Sequence, residues 1–254
     1  MSERESNNSG LTDFGFAKVT QAEKTRRVKT VFDSVAGRYD LMNDMMSFGL
    51  HRIWKRLAVM AAMARPGQRV LDLASGTGDL ARLFVPRIGS HGEVVISDIN
   101  GEMLSVGRDR LIDSGVAGNV SIVQANAESL PFSSHTFDIV SMAFGLRNVT
   151  HKDAVLIEMY RILRPGGRAF ILEFSKLNIS ALRRVYDSFS FRVLPMLGDW
   201  VAGDGDSYRY LAESIRVHPD QDELLAMMES AGFERCRYRN FCGGIVALHD
   251  AVRV

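Results

Sequence analysis

With 254 residues, 46% of them hydrophobic, the chain carries enough apolar surface to bury one large core or two small ones. A formal net charge of +1, with Lys and Arg scattered among nearly equal numbers of acids, offers no basic stripe and argues against a nucleic-acid partner. Two cysteines, Cys236 and Cys242, make neither a disulfide framework nor a metal site, and no apolar run approaches the roughly 18 residues of a membrane span. The opening MSERESNNSG has no signal-peptide core, so the expectation is a soluble, cytoplasmic protein.

Residues 1–12 are small and polar and are expected to form a disordered tail ahead of a single domain over 13–254. From Val19 to Lys55 apolar residues recur at three- and four-residue intervals, broken near Gly37 and Gly49, which predicts helices and an N-terminal helical lid over 13–65. The cluster Lys24, Arg26, Arg27 and Lys29 reads as a solvated helix face, with contact to anionic lipid as the sharper alternative. After RPGQ the texture changes to short β-branched strands alternating with helices. The strands are RVLDLA, GEVVISDI, VSIVQA, FDIVSMAF and GRAFILEF; the helices run over Asp79 to Arg87, Gly101 to Ser114 and Lys152 to Leu163. That alternation predicts a parallel sheet covered on both faces and wound by right-handed crossovers.

Leu182 to Val201 reads as an aromatic-rich helix and GDGDSYRYLAESIRVHP as a polar, functional stretch, together a cap over 180–220. Gln221 to Ala231 is a further helix, and ERCRYRNF and IVALHDAV close the chain as a hairpin turned near Gly243 and Gly244. The predicted fold is α/β: a doubly wound, mostly parallel seven-stranded sheet, Rossmann-like, with a C-terminal antiparallel hairpin, N-terminal helices and a helical cap.

The loop after the first strand, VLDLASGTGDLA, fits the loose G-x-G-x-x-G/A fingerprint of dinucleotide sites, and charge is what separates the candidate ligands. Asp72 ends the strand and Asp79 follows Gly78, so a pyrophosphate would meet two carboxylates; at about 4 Å each such contact costs about 1–4 kcal/mol. A sulfonium and an ammonium reverse the sign, which favours S-adenosylmethionine held at Asp72, Gly76, Thr77 and Gly78. Asp98, at the end of the second strand, is the expected acceptor for a ribose diol, with Ile99 and Met103 against the adenine. Asn126, after the third strand, is either the donor and acceptor for the adenine edge or an ordinary turn asparagine.

The blocks LDLASGTGDLA, ISDIN, ANAESLPF, FDIVSMAFGLRNV and LRPGGRAFILEFS resemble those of class I S-adenosylmethionine methyltransferases. More narrowly, FGFAKV, VFDSVAGRYDLMNDMMSFGLHRIWKR, SYRYLAESIRVHPDQ and GGIVALH resemble the ubiquinone/menaquinone biosynthesis C-methyltransferase family, over almost everything from Phe14 onward. The resemblance implies methylation of a ring carbon in a demethylated prenyl-quinol, benzoquinol or naphthoquinol, and carries Thr77, Asp98 and the pair Asn126-Ala127 over as cofactor contacts. Two departures stand out: Ser75 replaces a frequent glycine, and Ala143 replaces a frequent serine ahead of FGLRN.

Methyl transfer to carbon needs an aligned acceptor with an electron-rich ring. Arg147, too basic for an easy general base, is expected to stabilise a developing phenolate, with Asn148 orienting the hydroxyl; the competing reading pairs Arg147 with a structural acid such as Asp153. Tyr208, Tyr210, Arg216 and His218 are expected over the site, with His218 either a base or a turn residue before Pro219, and Tyr39 closing from the N-terminal side. Met42, Met45, Met46, Phe48 and YDSFSFRVLPMLGDW read either as an apolar rim that admits a prenyl tail during peripheral membrane contact or as helix packing. A homodimer is one assembly the sequence allows. A methyltransferase for a sterol or phenolic acceptor is the nearest alternative, and a dinucleotide-dependent oxidoreductase the more distant one. A non-catalytic binding module is disfavoured by the Tyr, Arg and His of the cap.

Overall fold

The computed structural model describes residues 10–35, 43–44, 46–116, 118–177, 196 and 205–254. The chain begins with a hairpin: β1 (Leu11–Phe14) pairs antiparallel with β2 (Ala17–Thr20). Leu11 and Thr12, expected in a disordered tail, are therefore paired strand residues; residues 1–9 lie outside those described. The turn requires Gly15, whose φ is +57° and whose missing Cβ would fall 2.2 Å from Glu213 Oε2. Helix α1 (Gln21–Val35) follows, and then α2 (Leu50–Ala62), which buries Trp54, Ala58, Val59 and Ala62.

The central sheet is made of β3 (Arg69–Leu73), β4 (Glu93–Asp98), β5 (Val120–Gln124), β6 (Phe137–Ala143), β7 (Leu163–Phe174), β8 (Glu234–Phe241) and β9 (Val246–Val252). Their order is β5-β4-β3-β6-β7-β9-β8, with the first five parallel and β9 antiparallel to both neighbours. The doubly wound sheet and its closing antiparallel hairpin are those the sequence predicts.

Alternation along the strands divides the core in two. Phe170 and Leu172 face one layer, with α2 and α3 (Asp79–Ile88); Ala169 and Ile171 face the other, with α5 (Lys152–Ile162) and α7 (Gln221–Ser230). Two capping residues fix helix starts: Asn100 accepts the Glu102 and Met103 amides at α4 (Gly101–Asp113), and Asp220 forms a capping box with Glu223 at α7. Helix α6 (Gly205–Val217) falls in the polar stretch singled out in the cap. The predicted helix over Leu182 to Val201 lies outside the described residues, apart from an exposed Met196. Between β3 and β6 the winding reverses direction, and such a switch point leaves a crevice at the carboxyl ends of the strands.

Candidate active site

The crevice is bounded by the tips of β3, β4 and β6 on one side and by α1 on the other. From the sheet come Ala74, Gly76, Asp98, Asn126, Ala127 and Asn148; from α1 come Thr25, Val28, Lys29 and Phe32. Asp98 knits the floor together. Its Oδ2 accepts the Gly76 amide at 2.9 Å and its Oδ1 the Asn100 amide at 2.9 Å. Burial raises the pKa of this carboxyl, and the backbone donors oppose that rise. The loop comes close to α4 because Gly107 faces it: a Cβ there would lie 3.2 Å from the Gly76 carbonyl oxygen. Across the crevice, Asn100 Nδ2 donates to Asp33 Oδ1 at 2.8 Å and anchors α1 to the sheet. Asn126 Oδ1 accepts the Glu128 amide at 3.0 Å, so its carbonyl end serves the turn while the residue lines the crevice.

The charge argument made from Asp72 and Asp79 does not hold as drawn. Asp79 is ion-paired to Lys55 at 2.7 Å and lines a second cavity, shared with Thr77 and Gly78. Asp72 is buried beneath the loop, where loss of water pushes its carboxyl up to about 7. Neither acid is among the residues lining the crevice with Asp98. Two pairing effects that sequence does not display, a buried lysine from α2 and strand orientation, removed them from it. Among the described residues the buried Thr77 hydroxyl and Asp72 Oδ2 find no hydrogen-bond partner.

The turn after β6 separates two chambers. Asn148 faces the crevice and Arg147 a smaller cavity behind it. Arg147 is buried and ion-paired to Glu173 of β7 at 2.7 Å, its Nη1 also donates to the Phe144 carbonyl, and its Nε has no partner among the described residues. The carboxylate facing it is thus Glu173 and not Asp153. Tyr210 donates to Asn148 Oδ1 at 3.1 Å and stacks on Phe14 of β1 at 4.2 Å, and its hydroxyl is held well above the ordinary phenol range by burial. Tyr208, on α6, is buried in the core and Arg216 is half-buried; neither lines the crevice. His218 is buried in the smaller cavity, and loss of water together with Lys152 and Arg147 lowers its pKa well below the ordinary value. It is a neutral imidazole at physiological pH.

Tyr39, Met42 and Met45 lie outside the described residues. Met46 is buried in the core, so it does not belong to an apolar rim, whereas Phe48 is exposed. Lys24, read as part of a solvated face, is buried and donates to the Val149 carbonyl at 2.9 Å. Sequence reasoning also missed Lys152, Glu173 and the inner face of α1. The helical spacing of Thr25, Val28 and Phe32 is the signal that finds that face; for Lys152 and Glu173 no local signal exists, because tertiary folding alone brings them to the site.

The fold matches solved methyltransferase structures. A SAM-dependent methyltransferase of Thermotoga maritima, described as a possible histamine N-methyltransferase, superposes with a TM-score of 0.63 at 19% identity, covering 89% of this chain and 100% of that one. Sheet order and crevice together define the Rossmann-like fold that these class I methyltransferases share. Two relatives align far more closely. Both are ubiquinone/menaquinone biosynthesis C-methyltransferases: that of Methylococcus capsulatus is 60% identical over 94% of this chain and 96% of its own length, and that of Ectopseudomonas mendocina 58% over 95% and 94%. The profile of the ubiE/COQ5 methyltransferase family matches residues 19–253, and the chain belongs to that family.

Proposed function

We propose that the protein transfers the methyl group of S-adenosylmethionine to a ring carbon of a demethylated prenyl-quinol, a naphthoquinol, a 6-methoxy-benzoquinol or both. The observation that carries this reading is Asp98, tied to the glycine loop and facing a crevice roofed by α1, in a chain so close to quinone C-methyltransferases. The residues present suit the donor. Asp98 can accept from a ribose diol, Ile99, Met103 and Ala127 give an adenine ring apolar surface, and Asn126 keeps an amide donor at its edge. When bound, S-adenosylmethionine supplies an electrophilic methyl group on sulfur with a neutral leaving group.

The protein's own task is alignment and charge. Holding donor and acceptor in line can supply about 7–11 kcal/mol of the barrier. Asn148, oriented by Tyr210, is positioned to fix an acceptor hydroxyl. Arg147, charge-balanced and fixed by Glu173, offers a developing phenolate its Nε–H, which has no partner among the described residues. His218, held neutral by burial, has one ring N–H to donate and one ring nitrogen to accept. The prenyl tail belongs to a bilayer, so this reading has the enzyme working from the cytoplasm in peripheral contact with the membrane. Exposed Phe48 is one apolar contact, and among the described residues no helix is long and apolar enough to cross. The deciding experiment is a methyl-transfer assay with demethylated naphthoquinol and benzoquinol acceptors in parallel; no transfer to either overturns the proposal. Flotation with liposomes tests the membrane contact, and a protein left wholly unbound removes it.

A further inference from the structure

Behind the turn at Arg147 lies the smaller cavity, which shares Thr150 with the main crevice. Five separate pieces of the chain build it: β1 contributes Asp13, α1 Lys24, the turn after β6 Arg147, α5 Lys152, and α6 with the residue that follows it Tyr210 and His218. Its polar groups do not satisfy one another. The His218 ring is 3% exposed, and neither nitrogen has a hydrogen-bond partner among the described residues. Lys24 spends one N–H on the Val149 carbonyl, and neither Lys24 nor Lys152 forms a salt bridge among the described residues.

The nearby acids are committed elsewhere. Asp13 pairs with Lys18 at 2.7 Å, Glu173 with Arg147, and Glu128 accepts the Thr150 and His151 amides. Asp153 acts on Lys152 only through space, and His249 and Lys176 add to the positive side felt by His218. Burial and the repulsion of Lys152 push the Lys24 ammonium down to about 8, against the opposing pull of Asp13 and Glu128. Two such cations, facing one cavity without a direct ion pair among the described residues, call for an anionic partner.

We propose that this cavity binds one anionic oxygen, gripped by Lys24 and Lys152 with a hydrogen bond from the His218 imidazole. The oxygen has two sources of the same chemistry. One is the ionised ring hydroxyl of the acceptor reaching through the wall at Thr150, which rests on the quinol reading above. The other is a free small oxyanion, which does not.

The test uses the full-length protein and 4-nitrophenol, whose anion alone absorbs visible light. Titrated on the acid side of its own pKa, the bound phenol is expected to ionise with its pKa lowered by about 1–3 units. Lys24→Met and Lys152→Met should each lose that shift and Lys152→Arg retain it, with circular dichroism checking that each variant is folded. Calorimetry with inorganic phosphate supplies the second arm. Lysine-dependent phosphate binding without a nitrophenol shift supports the cavity and assigns it to a free anion. If neither probe binds, or if both bind the two methionine variants as well as the parent, the proposal is overturned. Methyl transfer by the parent enzyme is measured alongside. Its absence would sink the quinol reading while leaving an anion site standing, so the two failures are distinguishable.

Discussion

Removing Glu173 is expected to be among the most damaging single changes in the sheet. The Arg147 and Glu173 side chains are each 2% exposed and meet at 2.7 Å, and Glu173 also accepts the backbone amides of Arg147 and Phe174. In Glu173→Gln the amide cannot balance the guanidinium, which stays buried over the face of Phe174 at 5.3 Å. Breaking one side of a buried pair costs about 3–5 kcal/mol. For a domain of this size each kcal/mol moves the melting temperature by about 2–4 °C, so the loss amounts to roughly 6–20 °C. Replacing both partners, as in Arg147→Met with Glu173→Leu, removes the stranded charge and is expected to recover most of the stability. Thermal and guanidinium unfolding of the parent, Arg147→Met, Glu173→Leu and their double complete the cycle, with Glu173→Gln measured alongside. A single variant losing under about 1 kcal/mol, or a double variant losing the sum of the singles, would refute the reasoning.

Three other outcomes are expected. Asp98→Asn should keep the fold yet weaken S-adenosylmethionine binding by roughly 10- to 100-fold in calorimetry, because hydrogen bonds to a charged group contribute about 1.5–3 kcal/mol. Burial lifts Asp72 from 3.8 to about 7, so the unfolded chain ionises this group at lower pH than the folded one. Its contribution is whole below about pH 4 and is lost as the pH rises to about 7, and Asp72→Asn should therefore be more stable than the parent at about pH 8 and equal to it at about pH 4 in urea unfolding. Finally, a Cβ on Gly145 would fall 2.6 Å from the Ala74 Cβ, so Gly145→Ala should cost about 1–3 kcal/mol of unfolding free energy. Ala74 has φ +52°, and adding Ala74→Gly should relieve both the clash and the left-handed backbone.

The sheet was legible because its signal is local. Val70, Leu71 and Leu73, or Phe170 to Leu172, are apolar on both faces, and a strand of that kind can only sit inside a covered parallel sheet. The tips were legible in part: a glycine loop after the first strand and an acid at the end of the second announce a nucleoside-sized crevice, and Gly76 and Asp98 line it, whereas Gly78 lines the second cavity. The hairpin over Leu11–Phe14 and Ala17–Thr20 was hidden by its brevity. Two four-residue strands carry too little periodicity to separate from a tail, and Gly15 shows its purpose only against Glu213, far along the chain.

Sequence by itself determined the order of strands and helices, the loop, Asp98 and the family, since each depends on neighbours along the chain. Tertiary structure decided which charges meet. It gave Asp79 to Lys55 and Arg147 to Glu173, and, among the described residues, no salt-bridge partner to Lys24 or Lys152. Charge acts through space over a few ångströms, with a strength set by burial, and neither separation nor burial between distant residues is written in their spacing.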